Sequence, residues 1–171
     1  KAKLGEVALE VKYAKNKDKI SLLDKTEREL DSSILVISNA GVPVAIAGVM
    51  GGDTSAISNS TTEAILESAV FKREDVRKTI RVTGIRTESA VRYEKGLDSH
   101  SSLPVINRAL ELLKENGCHG LSASKPVGFE HKKERQEIRT TFSFLNAKLG
   151  TIFEKKVIVD IFGNPYTINR I

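Results

Sequence analysis

The sequence predicts an α+β fold, in which strands occupy the first part of the chain and helices the second. Three observations support this prediction. Short apolar runs with strand-like patterns occupy residues 7–49. Two amphipathic helix patterns follow, at residues 73–83 and 104–116. The chain has 171 residues, of which 40% are hydrophobic, and this is enough to bury a sizeable core.

The first predicted strand spans residues 7–14, where apolar and polar residues alternate. The alternation places Val7, Leu9, Val11 and Tyr13 on one face, which predicts a half-buried strand. Residues 15–19 are polar and predict a hairpin loop to the next strand. Further strands are predicted at residues 20–23, 28–30, 35–37, 42–49 and 64–71. Residues 42–49 are continuously apolar, so we expect this strand to be the buried centre of a layered sheet-and-helix module.

The helix predicted at residues 73–83 has Val76, Ile80 and Thr83 on one face. Gly84 follows it, and glycine commonly ends a helix. The helix predicted at residues 104–116 has Pro104 in its first turn, where proline removes no helical hydrogen bond. Its apolar side is formed by Val105, Ile106, Ala109, Leu110, Leu112 and Leu113.

A change in composition near residue 125 predicts a domain boundary. We expect one module over residues 1–125, a charged linker over 126–137, and the truncated start of a second, mainly helical unit over 138–171. Short helices are predicted there at residues 142–149 and 154–162. Because the chain begins with Lys1 and its last unit is incomplete, we expect it to be a piece of a longer protein.

Several classes of protein are disfavoured by composition. The single cysteine, Cys118, allows no internal disulfide and fits a reducing cytoplasm. No apolar run is long enough to cross a bilayer, and no signal-peptide pattern is present, so no membrane partner is expected. His100, His119 and His131 are scattered, and we predict no metal site. Fingerprints of dinucleotide sites, of P-loops and of serine or cysteine triads are absent.

Positive charge is concentrated in the middle of the chain. The net charge is only +5, but residues 72–95 include eight basic and four acidic side chains. The cations Arg77, Lys78 and Arg81 share the face of the predicted helix opposite its apolar side, and Arg86 continues this basic face. Two interpretations stay open, a solvated helix face or a contact with the phosphates of a nucleic acid.

Glu67 lies on the apolar side of the predicted strand 64–71. A carboxylate in such surroundings is costly unless it is satisfied. One interpretation is a structural acid bonded to backbone amides or to an arginine such as Arg92. The other is a ligand-recognition acid that accepts a hydrogen bond from a hydroxyl or an amine.

Two further features have both a structural and a functional interpretation. The pair Gly51-Gly52 predicts a tight turn, or a place where the backbone approaches a ligand because no Cβ intervenes. Thr87 and Ser89 fall on a predicted loop after the basic helix. Their hydroxyls would make ordinary loop hydrogen bonds, or position a water or a sugar hydroxyl.

Three motifs in order resemble a known family. They are PVAIAGVMGGD at residues 43–53, LESAVF at 66–71 and GIRTESAVRYEKGLD at 84–98. Together they resemble the editing module of the bacterial phenylalanine–tRNA ligase beta-subunit family, over roughly residues 4–125. The tail from residue 138 resembles the start of the winged-helix-like domain that follows in that family.

The resemblance implies a function and partners. The parent ligase joins phenylalanine to tRNA(Phe) with ATP and Mg²⁺, in an α₂β₂ assembly whose aminoacylation site lies on the alpha subunit. The beta-subunit module hydrolyses tyrosyl-tRNA made in error by setting a water against the ester. No cofactor is expected within this fragment. The resemblance further implies that Glu67 reads the tyrosine hydroxyl and that Met50, Gly51 and Gly52 line the tyrosine pocket.

Thr87 matches a family threonine near the ester, and Ser89 stands where the family usually has alanine. We predict that both residues position the ester or a water, and that the added hydroxyl of Ser89 changes the size or polarity of the pocket. The family's editing histidine would precede Lys1, so we expect the fragment by itself to be inactive. The alternative is a non-catalytic scaffold that contacts tRNA within the same subunit, and Ser89 is the residue that favours it. A free-standing RNA-binding protein is a third, less favoured interpretation.

Overall fold

The computed structural model describes residues 2–4, 7–128 and 137–163. Within these residues seven strands precede five α-helices, which confirms the α+β prediction. The chain divides into two units, Lys1–Lys133 and Glu134–Ile171. Much of the predicted linker, residues 129–136, and the end of the chain, 164–171, lie outside the described residues.

The first unit contains an antiparallel five-stranded sheet in the order β1-β2-β5-β6-β7. The remaining two strands, β3 and β4, pair with each other as a hairpin. The strands are β1 (Ala2–Leu4), β2 (Val7–Tyr13), β3 (Asp18–Ser21), β4 (Glu27–Leu30), β5 (Leu35–Asn39), β6 (Val42–Ile46) and β7 (Met50–Gly51).

The expected hairpin loop at residues 15–19 is wrong, because β2 pairs with β5 rather than with β3. The expected buried face of β2 is also wrong. Val11 and Tyr13 are 56% and 51% exposed, whereas Ala14 is buried. The register explains this, since Lys12 lies opposite the fully buried Val36 and residues directly opposite each other share a face of the sheet.

Two predicted strands differ from the structure. The apolar run at residues 42–49 forms a strand only as far as Ile46, after which residues 47–49 make a turn. Residues 64–71 form no strand, because no neighbouring strand pairs with them. Their alternating pattern reflects packing instead, since Phe71 is buried and Ala69 packs against the core.

The predicted helix at residues 73–83 is confirmed as α1 (Arg73–Thr83), which ends at Gly84 with a φ of 71°. Val76 and Thr79 form its buried face. A short helix that the sequence analysis missed, α2 (Glu88–Tyr93), follows. The predicted loop assignment of Ser89 is therefore wrong, since Ser89 lies within α2.

The helix α3 (Ser102–Glu115) confirms the prediction at residues 104–116 and starts two residues earlier. None of its residues is buried, and its apolar side chains Leu103, Val105 and Leu112 remain exposed.

In the second unit, α4 (Phe142–Leu149) and α5 (Lys155–Phe162) confirm the two short predicted helices. No helix among the described residues is both long and apolar enough to span a membrane.

Gly52 is required by the close approach of two backbone segments. Its N–H donates to the Val44 carbonyl at 2.8 Å, and it forms an isolated bridge with Leu22. A Cβ at Gly52 would lie 2.5 Å from the Val44 carbonyl oxygen, which is backbone and cannot turn aside. At Gly51 a Cβ would meet only the end of the Leu23 side chain, at 3.2 Å. The close approach at Gly52 is thus made by the chain's own β6, and the approach of a ligand to Gly51 and Gly52 stays a prediction.

We predict that Gly52→Ala lowers the free energy of unfolding by about 2–3 kcal/mol, the usual cost of an overpacked site. The matched variant Gly51→Ala, whose new methyl meets a flexible side chain, is expected to cost less than about 1 kcal/mol. Urea unfolding of the chain, followed by circular dichroism, measures both. Equal losses in the two variants would contradict the assignment of the contact to Val44.

Candidate functional site

The turn at residues 47–49, here called the Gly48 turn, is the centre of the candidate site. Gly48 has a φ of 69°, which disfavours any residue with a side chain. A Cβ at this position would lie 2.9 Å from Cδ2 of Phe71 and 3.3 Å from Cγ of Tyr93. Both the backbone angle and the lack of space therefore require glycine here.

The start of α2 is bonded to the Gly48 turn through hydroxyl groups. Thr87 Oγ1 donates to the Val49 carbonyl at 2.6 Å, and it accepts the N–H of Ala90 at 3.1 Å as the N-cap of α2. Ser89 Oγ donates to the Gly48 carbonyl at 3.4 Å, a long and weak bond. The one proton of the Thr87 hydroxyl is thus in use, and one lone pair stays free to accept from a water or a ligand.

An aromatic pair covers the other side of the Gly48 turn. The rings of Phe71 and Tyr93 have centroids 5.2 Å apart at an interplanar angle of 54°. Phe71 is buried and Tyr93 is half-buried. Such tilted pairs stabilise a structure beyond their buried area. The pair therefore connects the end of α2 to the segment that carries Glu67.

Glu67 lies four residues before Phe71, in a segment without helix or strand. Glu67 is exposed to solvent, but the protein that borders its carboxyl raises the pKa of this group by desolvation. Within the described part of the chain Glu67 has no hydrogen bond or ion pair. The predicted alternative of a bond to Arg92 does not occur, because Arg92 donates to Glu88 at 3.0 Å.

The pKa of the Tyr93 hydroxyl is raised. The main cause is the partial burial of Tyr93, and the second cause is the negative charge of Glu67. The structure brings Thr87 and Ser89 to the Gly48 turn, on which Tyr93 of the same helix also packs. Sequence reasoning missed the roles of Gly48 and Tyr93. The sequence feature that could have indicated Gly48 is a glycine that interrupts an apolar run. The feature that could have indicated Tyr93 is an aromatic residue four positions after Ser89, on the same face of a helix.

Met50, Gly51 and Gly52 follow the Gly48 turn directly and lie at the edge of the sheet. Met50 pairs with Ile46 and packs against the core. The space beside Gly51 is bordered by Leu23, and that beside Gly52 by Val44. Their nearest described neighbours thus belong to the sheet and its hairpin.

The predicted basic face is only partly free. Arg77, Lys78 and Arg81 are exposed on α1 and form no ion pair with the described residues. Arg86 instead donates to Glu94 at 2.6 Å.

The described residues contain no group of three or more His, Cys, Asp or Glu side chains that could hold a metal ion.

The comparisons with known proteins identify a family. The model of the B3/4 domain matches residues 1–118. The phenylalanine–tRNA ligase beta subunit of Leptospira interrogans serogroup Icterohaemorrhagiae serovar Lai (strain 56601) is 56% identical over 158 residues, which are 92% of this chain and 20% of that protein. The beta subunit of Leptospira biflexa serovar Patoc (strain Patoc 1 / Ames) is 52% identical over 94% of this chain and 20% of its own.

A more distant relative, the phenylalanine–tRNA ligase beta subunit of Lactobacillus acidophilus (strain ATCC 700396 / NCK56 / N2 / NCFM), is 36% identical over 90% of this chain and 19% of its own. The chain spans about a fifth of the length of these relatives. The resemblance predicted from the three motifs is confirmed. The chain belongs to the B3/4 domain family, in the form found in phenylalanine–tRNA ligase beta subunits.

Proposed function

We propose that this chain is the editing module of a phenylalanine–tRNA ligase beta subunit and that it takes part in the hydrolysis of tyrosyl-tRNA(Phe). The observation that carries the proposal is Glu67, a carboxylate whose pKa is raised by desolvation and which has no hydrogen-bond or ion-pair partner among the described residues. Four residues after it, Phe71 packs against Tyr93 of the helix whose Thr87 is bonded to the Gly48 turn. A protein rarely keeps such a group for stability alone.

Glu67 has the chemistry needed to tell tyrosine from phenylalanine. The tyrosine hydroxyl can donate to the carboxylate, and a charge-assisted bond is strong where water is scarce. Phenylalanine would leave the carboxylate unsatisfied. Sites built to bond a substrate hydroxyl reject the analogue lacking it by roughly 10⁴–10⁵.

Thr87 has one free lone pair, which can accept a hydrogen bond from a water molecule and so orient it. In the proposed reaction this water attacks the ester carbonyl carbon and the ester C–O bond breaks. The terminal ribose oxygen of the tRNA leaves with a proton, and tyrosine is released. Donors near the ester oxygen would stabilise the developing negative charge. We assign no general base to the described residues.

The free cations of α1, Arg77, Lys78 and Arg81, are the proposed tRNA contact. Phosphate contacts supply most of the affinity in non-specific nucleic-acid binding. Arg86 is a weaker candidate, because Glu94 already neutralises its charge. An alpha-subunit partner and the use of ATP and Mg²⁺ in aminoacylation by that partner belong to the same proposal, as does a cytoplasmic location.

The second candidate is a scaffold module that contacts tRNA without hydrolysing it. Thr87 favours this candidate, because its hydroxyl proton is bonded to Val49 and is not free to donate to a substrate. Ser89 likewise directs its hydroxyl to the chain's own Gly48. The two candidates differ in whether Glu67 affects hydrolysis.

We predict that Glu67→Gln lowers kcat/KM for the deacylation of tyrosyl-tRNA(Phe) roughly 10- to 150-fold, the loss expected for one hydrogen bond to a charged group. The assay uses the full beta subunit assembled with its partner. Glu63→Gln, exposed on the same segment, is the control and is expected to leave the rate unchanged. A wild-type enzyme without deacylase activity would instead support the scaffold.

Glu67 also predicts a pH dependence of stability. Because its pKa is raised in the folded state, the folded chain holds this proton over a range where the unfolded chain has lost it. Stability is therefore expected to fall as the pH rises from the ordinary glutamate pKa of about 4.3 to the raised value. Glu67→Gln should remove this fall, and Glu63→Gln should retain it. Urea unfolding in steps between about pH 4 and pH 7 measures the difference.

The basic face predicts a change in the salt dependence of tRNA binding. The triple variant Arg77→Ala, Lys78→Ala and Arg81→Ala should reduce the slope of log K against log salt by about 2–3, since each phosphate contact contributes about 0.7–0.9. Arg108→Ala, which removes an exposed arginine paired with Glu111 on α3, is the control. An unchanged slope in the triple variant would place the tRNA contact elsewhere.

A further inference from the structure

We propose that the tRNA contact on α1 centres on a row of three arginines, Arg73, Arg77 and Arg81, and that Glu74 competes with the RNA phosphates for Arg73. The three residues are here called the arginine row. The inference rests on the tRNA contact in the proposed function. It adds Arg73 to that contact, and it makes Glu74 an internal competitor that lowers the affinity of the row for RNA.

The arginine row follows from the helical repeat. Its members are spaced four residues apart, so they lie on one side of α1, and each is about 6 Å further along the helix axis than the one before. All three are exposed, whereas Val76 and Thr79 are buried on another side of the helix. The row is therefore accessible along most of α1.

Two members of the row have no acidic partner. Arg77 and Arg81 form no ion pair with the described residues. Asp75, an acid on the same helix, accepts a hydrogen bond from the Tyr13 hydroxyl at 3.0 Å. Like charges four residues apart repel each other and destabilise a helix slightly. A bound polyanion would relieve this repulsion, so a ligand explains the pair better than stability does.

Arginine suits the phosphates of an RNA backbone. Its planar guanidinium group binds a phosphate through two parallel hydrogen bonds and stays charged at physiological pH. Phosphates recur at regular intervals along a strand, and a row of long, exposed side chains can reach successive ones. Such a contact binds the backbone and not the base edges, and the backbone is the part of a nucleic acid that supplies most of the non-specific affinity.

Arg73 differs from the rest of the row because it has a partner in the protein. Its Nε donates to Glu74 Oε1 at 2.9 Å. The two side chains are 55% and 56% exposed, and ion pairs so open to water contribute little to stability. The hydrogen bond from Arg73 lowers the pKa of Glu74, so the carboxylate stays charged at neutral pH. A phosphate can therefore replace Glu74 at small cost, but it must compete with a full negative charge.

A second stretch of backbone borders the start of the row. A Cβ on Gly96 would lie 3.8 Å from Cδ of Arg73, which is an ordinary contact distance. Lys95 directly precedes Gly96, is exposed and forms no ion pair with the described residues. The segment that follows α2 thus adds a further free cation next to the member of the row that Glu74 occupies.

The test measures the affinity of the full beta subunit, assembled with its partner, for fluorescently labelled tRNA(Phe) between about 50 and 300 mM salt. We expect Glu74→Gln to raise the affinity roughly two- to fivefold at the lowest salt, because Arg73 becomes free to bind a phosphate. Glu27→Gln is the matched control. It changes the net charge equally and frees Lys19 on the β3-β4 hairpin, away from the row, and the affinity should stay within about 1.5-fold of wild type.

A double-mutant cycle separates Arg73 from the general effect of charge. Arg77→Gln and Arg81→Gln should each reduce the slope of log K against log salt by about 0.7–0.9. Arg73→Gln should reduce it by less in the wild-type background, and by the same about 0.7–0.9 once Glu74→Gln is present. Circular dichroism and phenylalanylation of tRNA report whether each variant folds and assembles.

Three results overturn the inference. The first is a gain in Glu74→Gln that Glu27→Gln matches, or that persists when Arg73→Gln is added. The second is an unchanged salt slope in Arg77→Gln and Arg81→Gln. The third is a loss of assembly with the alpha subunit at unchanged tRNA affinity, which would make the row a protein interface.

Deacylation of tyrosyl-tRNA(Phe) by the same variants distinguishes this inference from the proposed function. A wild type that hydrolyses the ester, with row variants that bind tRNA as the wild type does, overturns the inference alone. Binding that follows the expected pattern in a wild type without hydrolysis overturns the proposed hydrolysis alone and supports the inference. A wild type that binds no tRNA overturns both.

Discussion

The contact of the Gly48 turn with two aromatic rings is the constraint on which the candidate site depends. Gly48 has no Cβ, and so Phe71 and Tyr93 can approach its backbone. The same turn presents the carbonyls of Gly48 and Val49 to the hydroxyls at the start of α2. Three parts of the chain that are distant in sequence therefore meet at one backbone turn. A side chain at Gly48 would push these parts of the chain apart.

The site combines good packing with one unfavourable group. Phe71 and the start of α2 are well packed and hydrogen-bonded, whereas Glu67 has a pKa raised by desolvation and no partner among the described residues. Conflicts of this kind are typical of functional sites, where a group is kept ready for a ligand at some cost in stability. Phe71 is followed at once by α1, so the segment bearing Glu67 is anchored directly before the helix that carries the free cations. A single anchored segment thus links the proposed recognition acid to the proposed tRNA contact.

The burial pattern of α3 differs from that of α1. Both helices are amphipathic, but α1 buries Val76 and Thr79 in the core while α3 buries no residue. Leu112 and Leu113 of α3 instead border a groove with Leu66, one residue before Glu67. The segment that carries Glu67 is thus supported by the buried core at Phe71 and by an open apolar surface at Leu66.

Local sequence patterns determined the fold class and the helices α1, α3, α4 and α5, and three motifs determined the family. These features depend on short-range periodicity and on end signals such as Gly84, which are local properties of the chain. Only the tertiary structure decided that Lys12 rather than Val11 faces the core side of the sheet. It also decided that residues 64–71 form no strand and that Arg86 is paired with Glu94. It also decided that Gly48 and Tyr93 belong to the site. Strand pairing, ion pairing and ring contacts all join residues distant in sequence, so no local pattern contains them.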